Sequence, residues 1–200
     1  MAKKMSLFYR ILSVIGLYSM LGLGACGTNQ PVTLPVYDTS EFQSIRLDAR
    51  RLEIIENWKM PMAPPYIEHT LSPNLSSMMV DWASRVLVPV GGSGEVILDI
   101  SQASVKVTEL PKSEKLFDVF KDNQETMMRA DIKAKLLWIQ PVGGRQGIID
   151  LTASASVTVR ESATPNERDV AAREIMIQAI ELINKQALEE VQTIEGLIRP

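Results

Sequence analysis

The sequence predicts an α+β domain: a four-stranded mixed sheet in the order β-α-β-β-β-α with two helices packed on one face. Three observations point to it. Residues 149–159 alternate apolar and polar side chains without a break, and residues 128–138 do so apart from Leu137, the period of strands with one buried and one wet face. Residues 75–87 and 175–194 instead repeat apolar residues every three or four positions, as helices with one buried stripe do. The apolar sheet face needs a cover, and the helical stripes supply one.

Taken in order, residues 44–55 place Ile45, Leu47 and Ala49 on one face, then change phase to Leu52 and Ile54 around Arg50 and Arg51. One extra residue reverses the faces of a strand, so the segment reads as a single strand with a solvated bulge at the arginines. Residues 57–70, NWKMPMAPPYIEHT, hold three prolines and exclude both a helix and a central strand. They read as a polyproline-like connection lying on the domain, with Trp58, Tyr66 and Ile67 covering core edges.

Ser72 and Pro73 fit an N-cap and a first helical position. The stripe Leu75, Met78, Met79, Trp82, Val86 and Leu87 follows, and the helix is expected to stop before Pro89 and the glycine turn at 91–94. That turn follows a helix and precedes a strand, the reverse of the order that aims a helix N-terminus at phosphate. Residues 95–109 present Val96, Leu98 and Ile100, then Ala103, Val105 and Val107 in the opposite phase, predicting a bulge near Ser101 and Gln102. Two half-buried strands follow around a turn at 141–147, and the first strand is expected to run parallel to the second through a crossover. Thr164, Pro165 and Glu167 form a capping-box signature for a last helix striped by Met176, Ile180, Ile183, Ala187, Val191 and Ile194. Carried to Glu195, it is longer than a small sheet needs and is expected to project.

The N-terminus has a different character. Lys3, Lys4 and Arg10 precede an apolar run of 13 residues at 11–23, short of the ~20 that cross a bilayer as a helix. It ends in Leu23-Gly24-Ala25-Cys26, which resembles the lipobox of bacterial lipoproteins. The resemblance implies that Cys26 becomes a diacylglyceryl thioether, that the chain is cut before it, and that the new amino group is acylated. Gly27 stands where an aspartate commonly retains lipoproteins at the inner membrane, which implies the periplasmic face of the outer membrane. The expected organisation is a signal peptide at 1–25, a lipidated extended tether at 26–43 with Tyr37 and Phe42 pinning its end, and one periplasmic domain at 44–200.

Composition narrows the function. Cleavage removes three of the 21 basic residues and none of the 24 acidic ones, leaving a formal charge of −6. Nucleic acid is therefore not an expected partner, and no basic cluster follows Cys26 to hold anionic lipid. The acyl chains do the anchoring, at about 0.8 kcal/mol per buried methylene. Cys26 is the only cysteine, so no intramolecular disulfide and no thiolate metal site are expected. His69 is the only histidine. A Glu68-His69 pair acting on Ser72 or Ser76 lacks any nucleophile motif, so the expectation is no enzyme, no metal and no cofactor.

Residues 111–125 join two strands by far more than a hairpin needs and carry Leu116, Phe117, Val119 and Phe120 in a charged setting. Leu116, Phe117 and Phe120 are the candidate partner-binding residues, the other reading being that the loop caps the sheet edge. MPMAPPYIEH and TPNERD, with the lipobox, resemble an uncharacterised family of small envelope lipoproteins of Gram-negative bacteria. In architecture the chain also resembles auxiliary lipoproteins of ABC-type lipid transport systems. Two functions are consistent with this: a non-enzymatic accessory that binds an envelope protein, and a transport auxiliary that binds lipid or a small ligand between helices and sheet.

Overall fold

The computed structural model describes residues 33–110 and 125–199. The elements are β1 (Ile45–Leu47), β2 (Arg51–Glu56), a 3-10 turn (Glu68–Thr70), α1 (Leu75–Val86), β3 (Leu87–Pro89), β4 (Glu95–Glu109), β5 (Glu125–Gln140), β6 (Arg145–Arg160) and α2 (Pro165–Val191). The predicted four-stranded mixed sheet is present in the order β2-β4-β5-β6. β2 runs parallel to β4, and β5 and β6 complete it as antiparallel neighbours. Both helices lie on its apolar face. There Trp82 of α1 and Trp138 of β5 are fully buried, and side chains of that size contribute about 1.5–3 kcal/mol each on burial.

The alternating patterns translate directly into burial. Ala130, Ile132, Ala134, Leu136 and Trp138 are buried while their odd-numbered neighbours face water, and β6 does the same at Ile149, Leu151, Ala155 and Val159. In β4 the register against β5 shifts between Ile100 and Gln102, placing the bulge where the phase change puts it. The capping box is also there. Glu167 N–H donates to the Thr164 hydroxyl at 3.3 Å, and Thr164 N–H donates to the Glu167 carboxylate at 2.7 Å. The bond from Thr164 N–H foremost, and then one that the Thr164 hydroxyl donates to the same carboxylate at 2.8 Å, hold the Glu167 carboxyl below its usual range.

Four expectations need correction. The segment 44–55 is not one bulged strand but two strands in different sheets: β1 pairs in parallel with β3, and β2 with β4. The chain changes partner at Ala49, which is fully buried, and Arg50 N–H donates to the Gly94 carbonyl at 2.6 Å. Arg50 and Arg51 then reach one carboxylate, Glu95, at 2.7 and 3.1 Å. Both arginines are well exposed, so this clamp stabilises little. Gly94 is required at this crossing, because a Cβ there would lie 2.6 Å from the Asp48 carbonyl oxygen.

The N-cap of α1 is Asn74 rather than Ser72; its side chain accepts from Ser77 N–H at 2.9 Å. α1 also ends at Val86. Leu87 continues as β3, its burial coming from the small sheet rather than from the helical stripe. Finally, α2 stops at Val191, which is buried, instead of projecting from the domain. The chain reverses through Gly196 at φ +81°, buries Leu197 completely and pairs Ile198 with Leu47. Asp48 N–H donates to the Leu197 carbonyl at 2.7 Å, and Arg199 N–H to the Arg46 carbonyl at 3.0 Å. β1 thus lies between β3 and the C-terminal residues.

Ahead of β1, residues from Tyr37 onward are held on the domain. The Tyr37 hydroxyl donates to the Met78 carbonyl at 2.8 Å, and burial, with the charge of Asp81, pushes its pKa far up. Thr39 is buried and Phe42 packs on the core.

Candidate functional site

Two features of the described residues offer binding surface, and the proline-rich segment builds the first. β2 leaves the edge of β4 after pairing with Ile100, just before the bulge. Beyond it the same edge is taken over by the segment around Tyr66: Ile67 N–H donates to the Val105 carbonyl at 2.9 Å and Val107 N–H to the Pro65 carbonyl at 2.8 Å. Glu68 completes the attachment. It is fully buried, its Oε2 accepts from Val105 N–H at 3.2 Å, and its Oε1 is without a partner. The Tyr66 ring stands 6.2 Å from that of Trp58, with the Lys106 ammonium 5.2 Å from its centroid.

Held this way, the segment walls a cavity of about 900 Å³ against the end of the sheet and the first turns of α2. Pro64, Pro65, Ile67, Val107, Met128 and Ala172 make its lining mainly apolar, and its size lies within the range of small-ligand sites. Arg168 and Asp169 also face it. The Arg168 guanidinium donates to the Glu161 carbonyl at 2.7 Å and the Ala163 carbonyl at 3.3 Å, so it is fixed by uncharged acceptors.

The second feature lies on the wet sheet face at the β5–β6 hairpin. Ile139, Val142 and Ile148 are 43%, 71% and 64% exposed, and Leu137 pairs directly with Ile148 across the strands. Leu137, Ile139 and Ile148 sit at positions where the alternation calls for polar residues. An apolar patch at the rim of a polar face is a candidate interaction surface. The signal was in the sequence, as breaks in the polar half of the alternation.

The residues singled out from sequence are distributed differently. Cys26, Leu116, Phe117 and Phe120 lie outside the described residues. His69 is exposed, Glu68 is turned inward to Val105, and the Ser76 hydroxyl donates to Glu56 at 2.6 Å. The imagined Glu-His-Ser arrangement is therefore not assembled. Among the described residues no three His, Cys, Asp or Glu side chains gather as metal ligands, and no helix is long and apolar enough to cross a membrane.

No family model matches the chain, and no curated protein does. Solved structures are similar in fold. A minor lipoprotein from Acinetobacter baumannii is 12% identical with a TM-score of 0.44, covering 72% of this chain and 94% of its own. Rare lipoprotein B from Shewanella oneidensis is 13% identical with a TM-score of 0.38, covering 71% and 97% respectively. Both neighbours are bacterial lipoproteins. At such identities and TM-scores the likeness says nothing of what this chain does.

Proposed function

We propose that this chain is a lipid-anchored envelope protein, held through Cys26 at the periplasmic face of the outer membrane, and that it works there as a non-enzymatic accessory to an envelope protein. The apolar patch Leu137, Ile139, Val142 and Ile148 carries the reading. These side chains contribute nothing to the core, and a partner that covers them recovers about 25 cal/mol for each Å² of apolar surface removed from water. Leu116, Phe117 and Phe120 are the proposed additional docking residues, contributed by the β4–β5 connection. A photo-crosslinking side chain at Ile148 in intact cells should capture one discrete protein, and Ile139→Ser with Ile148→Ser should abolish the same adduct formed from Val142. A probe at exposed Thr152 that captures the same protein equally well would refute the patch.

The cavity favours a second reading, an auxiliary component of transport that holds an apolar ligand such as an acyl chain. Val107→Trp with Ala172→Phe would fill it. Native extraction and mass spectrometry should then find lipid on the unaltered protein and none on the filled variant. An unaltered protein that carries no lipid sinks this reading and leaves the first intact.

A further inference from the structure

The four-stranded sheet has two outer edges, and they are protected very unequally. Edge strands present unpaired backbone groups to any passing strand, and charged residues are a common defence. β2 is short and charged at Arg51, Glu53 and Glu56. β6 is 16 residues long, and from Leu151 to Val159 it reads LTASASVTV, with no charge, proline or glycine.

Part of that edge is already filled by a side chain. Gln186 of α2 donates through Nε2 to the Asp150 carbonyl at 3.1 Å and accepts through Oε1 from Thr152 N–H at 2.8 Å. Its amide thus replaces one residue of a neighbouring strand. Because alternate residues of a strand point their backbone groups to opposite sides, these two bonds establish that the even-numbered residues of β6 face outward. The pairing with β5 has no register shift, so the parity holds to the end of the strand. There the Arg160 carbonyl accepts from Ala163 N–H at 3.1 Å. Between the Gln186 plug and this turn, the outward groups of Ser154, Ser156 and Thr158 have no partner among the described residues.

We propose that this gap is filled by the same gap of a second copy of the chain, in an antiparallel β6–β6 pairing centred on Ser156. In that register Ser156 faces Ser156 and Ser154 faces Thr158. Each copy offers three donors and three acceptors from Ser154, Ser156 and Thr158, so every outward group of these three residues is used. The next pair outward would be Thr152 with Arg160, where Gln186 blocks one side and Ala163 the other, so the free stretch is symmetric about Ser156. On the helix side Ala155 meets Val157 and Ala153 meets Val159, small and apolar, and no like charges are opposed.

The two-fold axis of such a pairing stands perpendicular to the sheet, so both helix layers lie on one side of an eight-stranded sheet. Tyr37 is bonded to α1 in that layer, so both N-terminal leads start from the same side, as two chains anchored in one membrane require. This last clause rests on the Cys26 anchor; the pairing does not. Confinement to a membrane also raises effective concentration, which favours a short interface.

Cysteine scanning of the full-length chain in membranes tests the register. Ser156→Cys should form an oxidised dimer on a non-reducing gel, because hydrogen-bonded antiparallel partners have Cα atoms about 5.5 Å apart, within disulfide reach. Ser154→Cys and Thr158→Cys should each fail alone and should crosslink when the two variants are co-expressed. Ser156→Pro, which removes an outward N–H and no hydrogen bond to β5, should suppress that mixed crosslink while leaving the melting temperature within a few degrees. Equal crosslinking at all three positions, or none at Ser156→Cys, overturns the pairing. A dimer of the chain without any added cysteine instead reports a free Cys26 thiol and refutes the anchor alone.

Discussion

Trp82 and Asn184 tie the two helices together, and their bond sets a measurable part of the stability. Trp82 is completely buried and its indole N–H donates to Asn184 Oδ1 at 3.1 Å. Asn184→Leu keeps the branched shape in a somewhat larger side chain but leaves that N–H unpaired in the core, which costs about 1–3 kcal/mol. For a domain of this size each kcal/mol lowers the melting temperature by about 2–4 °C, so the expected drop is roughly 2–12 °C. Trp82→Phe removes the donor and part of a large side chain, so it should cost more, through the void it leaves. Once the donor is gone, Asn184→Leu should cost little or become favourable, since replacing both partners by apolar groups removes the unpaired atom. Urea unfolding of the four proteins, made as a chain beginning at Val32, yields the double-mutant cycle. A coupling of about 1 kcal/mol or more is expected. Single losses that add to within ~0.5 kcal/mol would refute the assignment of the stability to this bond.

Glu68→Ala should destabilise by about 1–3 kcal/mol, because Val105 N–H loses its acceptor inside the protein; Glu68→Gln retains an acceptor oxygen and should lose less, and the reverse order in thermal melts would contradict the proposed attachment. Gly94→Ala puts a Cβ 2.6 Å from a backbone oxygen and should cost about 1–3 kcal/mol as overpacking. Gly147→Ala meets only the end of Ile194 and should cost less in the same assay. The lowered pKa of Glu167 means that its contribution is complete above the unfolded carboxylate pKa of about 4.3 and is lost as pH falls through the folded value. Thr164→Ala should therefore lower the melting temperature more at pH 7 than at pH 2, and equal drops would show that the carboxylate plays no part. Cys26→Ser should leave the folded domain unacylated and the precursor uncut; metabolic labelling with a radioactive fatty acid that still marks the variant would disprove the site of attachment.

What the sequence discloses is what is encoded locally. The capping box at Thr164 needs only four consecutive residues, and the bulge at Ser101 needs only a change of phase within one strand, so both are where periodicity puts them. The same change of phase at Arg50 was misleading, because a bulge and a move to another sheet reverse the faces equally. Only the distant partners, Leu87 for Ile45 and Glu95 for Arg51, distinguish them. Ser72 and Asn74 are equally good N-caps by residue type, and the choice is made by which one reaches a free N–H, that of Ser77. The end of α2 is illegible for a similar reason. Ile194 continues the helical stripe, yet Gly196 permits a reversal that lets Leu197 enter a site formed by residues ~150 positions earlier.

The candidate surfaces fall where local patterns stop agreeing with burial. A perfect alternation says which side chains face the core, and it is silent about the edge of the strand, where backbone groups and not side chains decide. β6 shows the consequence. Its faces follow from Ile149, Leu151, Ala155 and Val159, but its open edge is defined by Gln186, a helical residue that reads from sequence as an ordinary exposed position. Likewise Leu137, Ile139 and Ile148 look like small lapses in the polar half of two strands until the register places Leu137 against Ile148, with Ile139 two residues along the same face. A lapse scattered over two segments costs little and signifies little. Gathered by antiparallel pairing at one end of a sheet, the same residues become a contiguous surface that water does not stabilise, and it is their adjacency that makes them a candidate site.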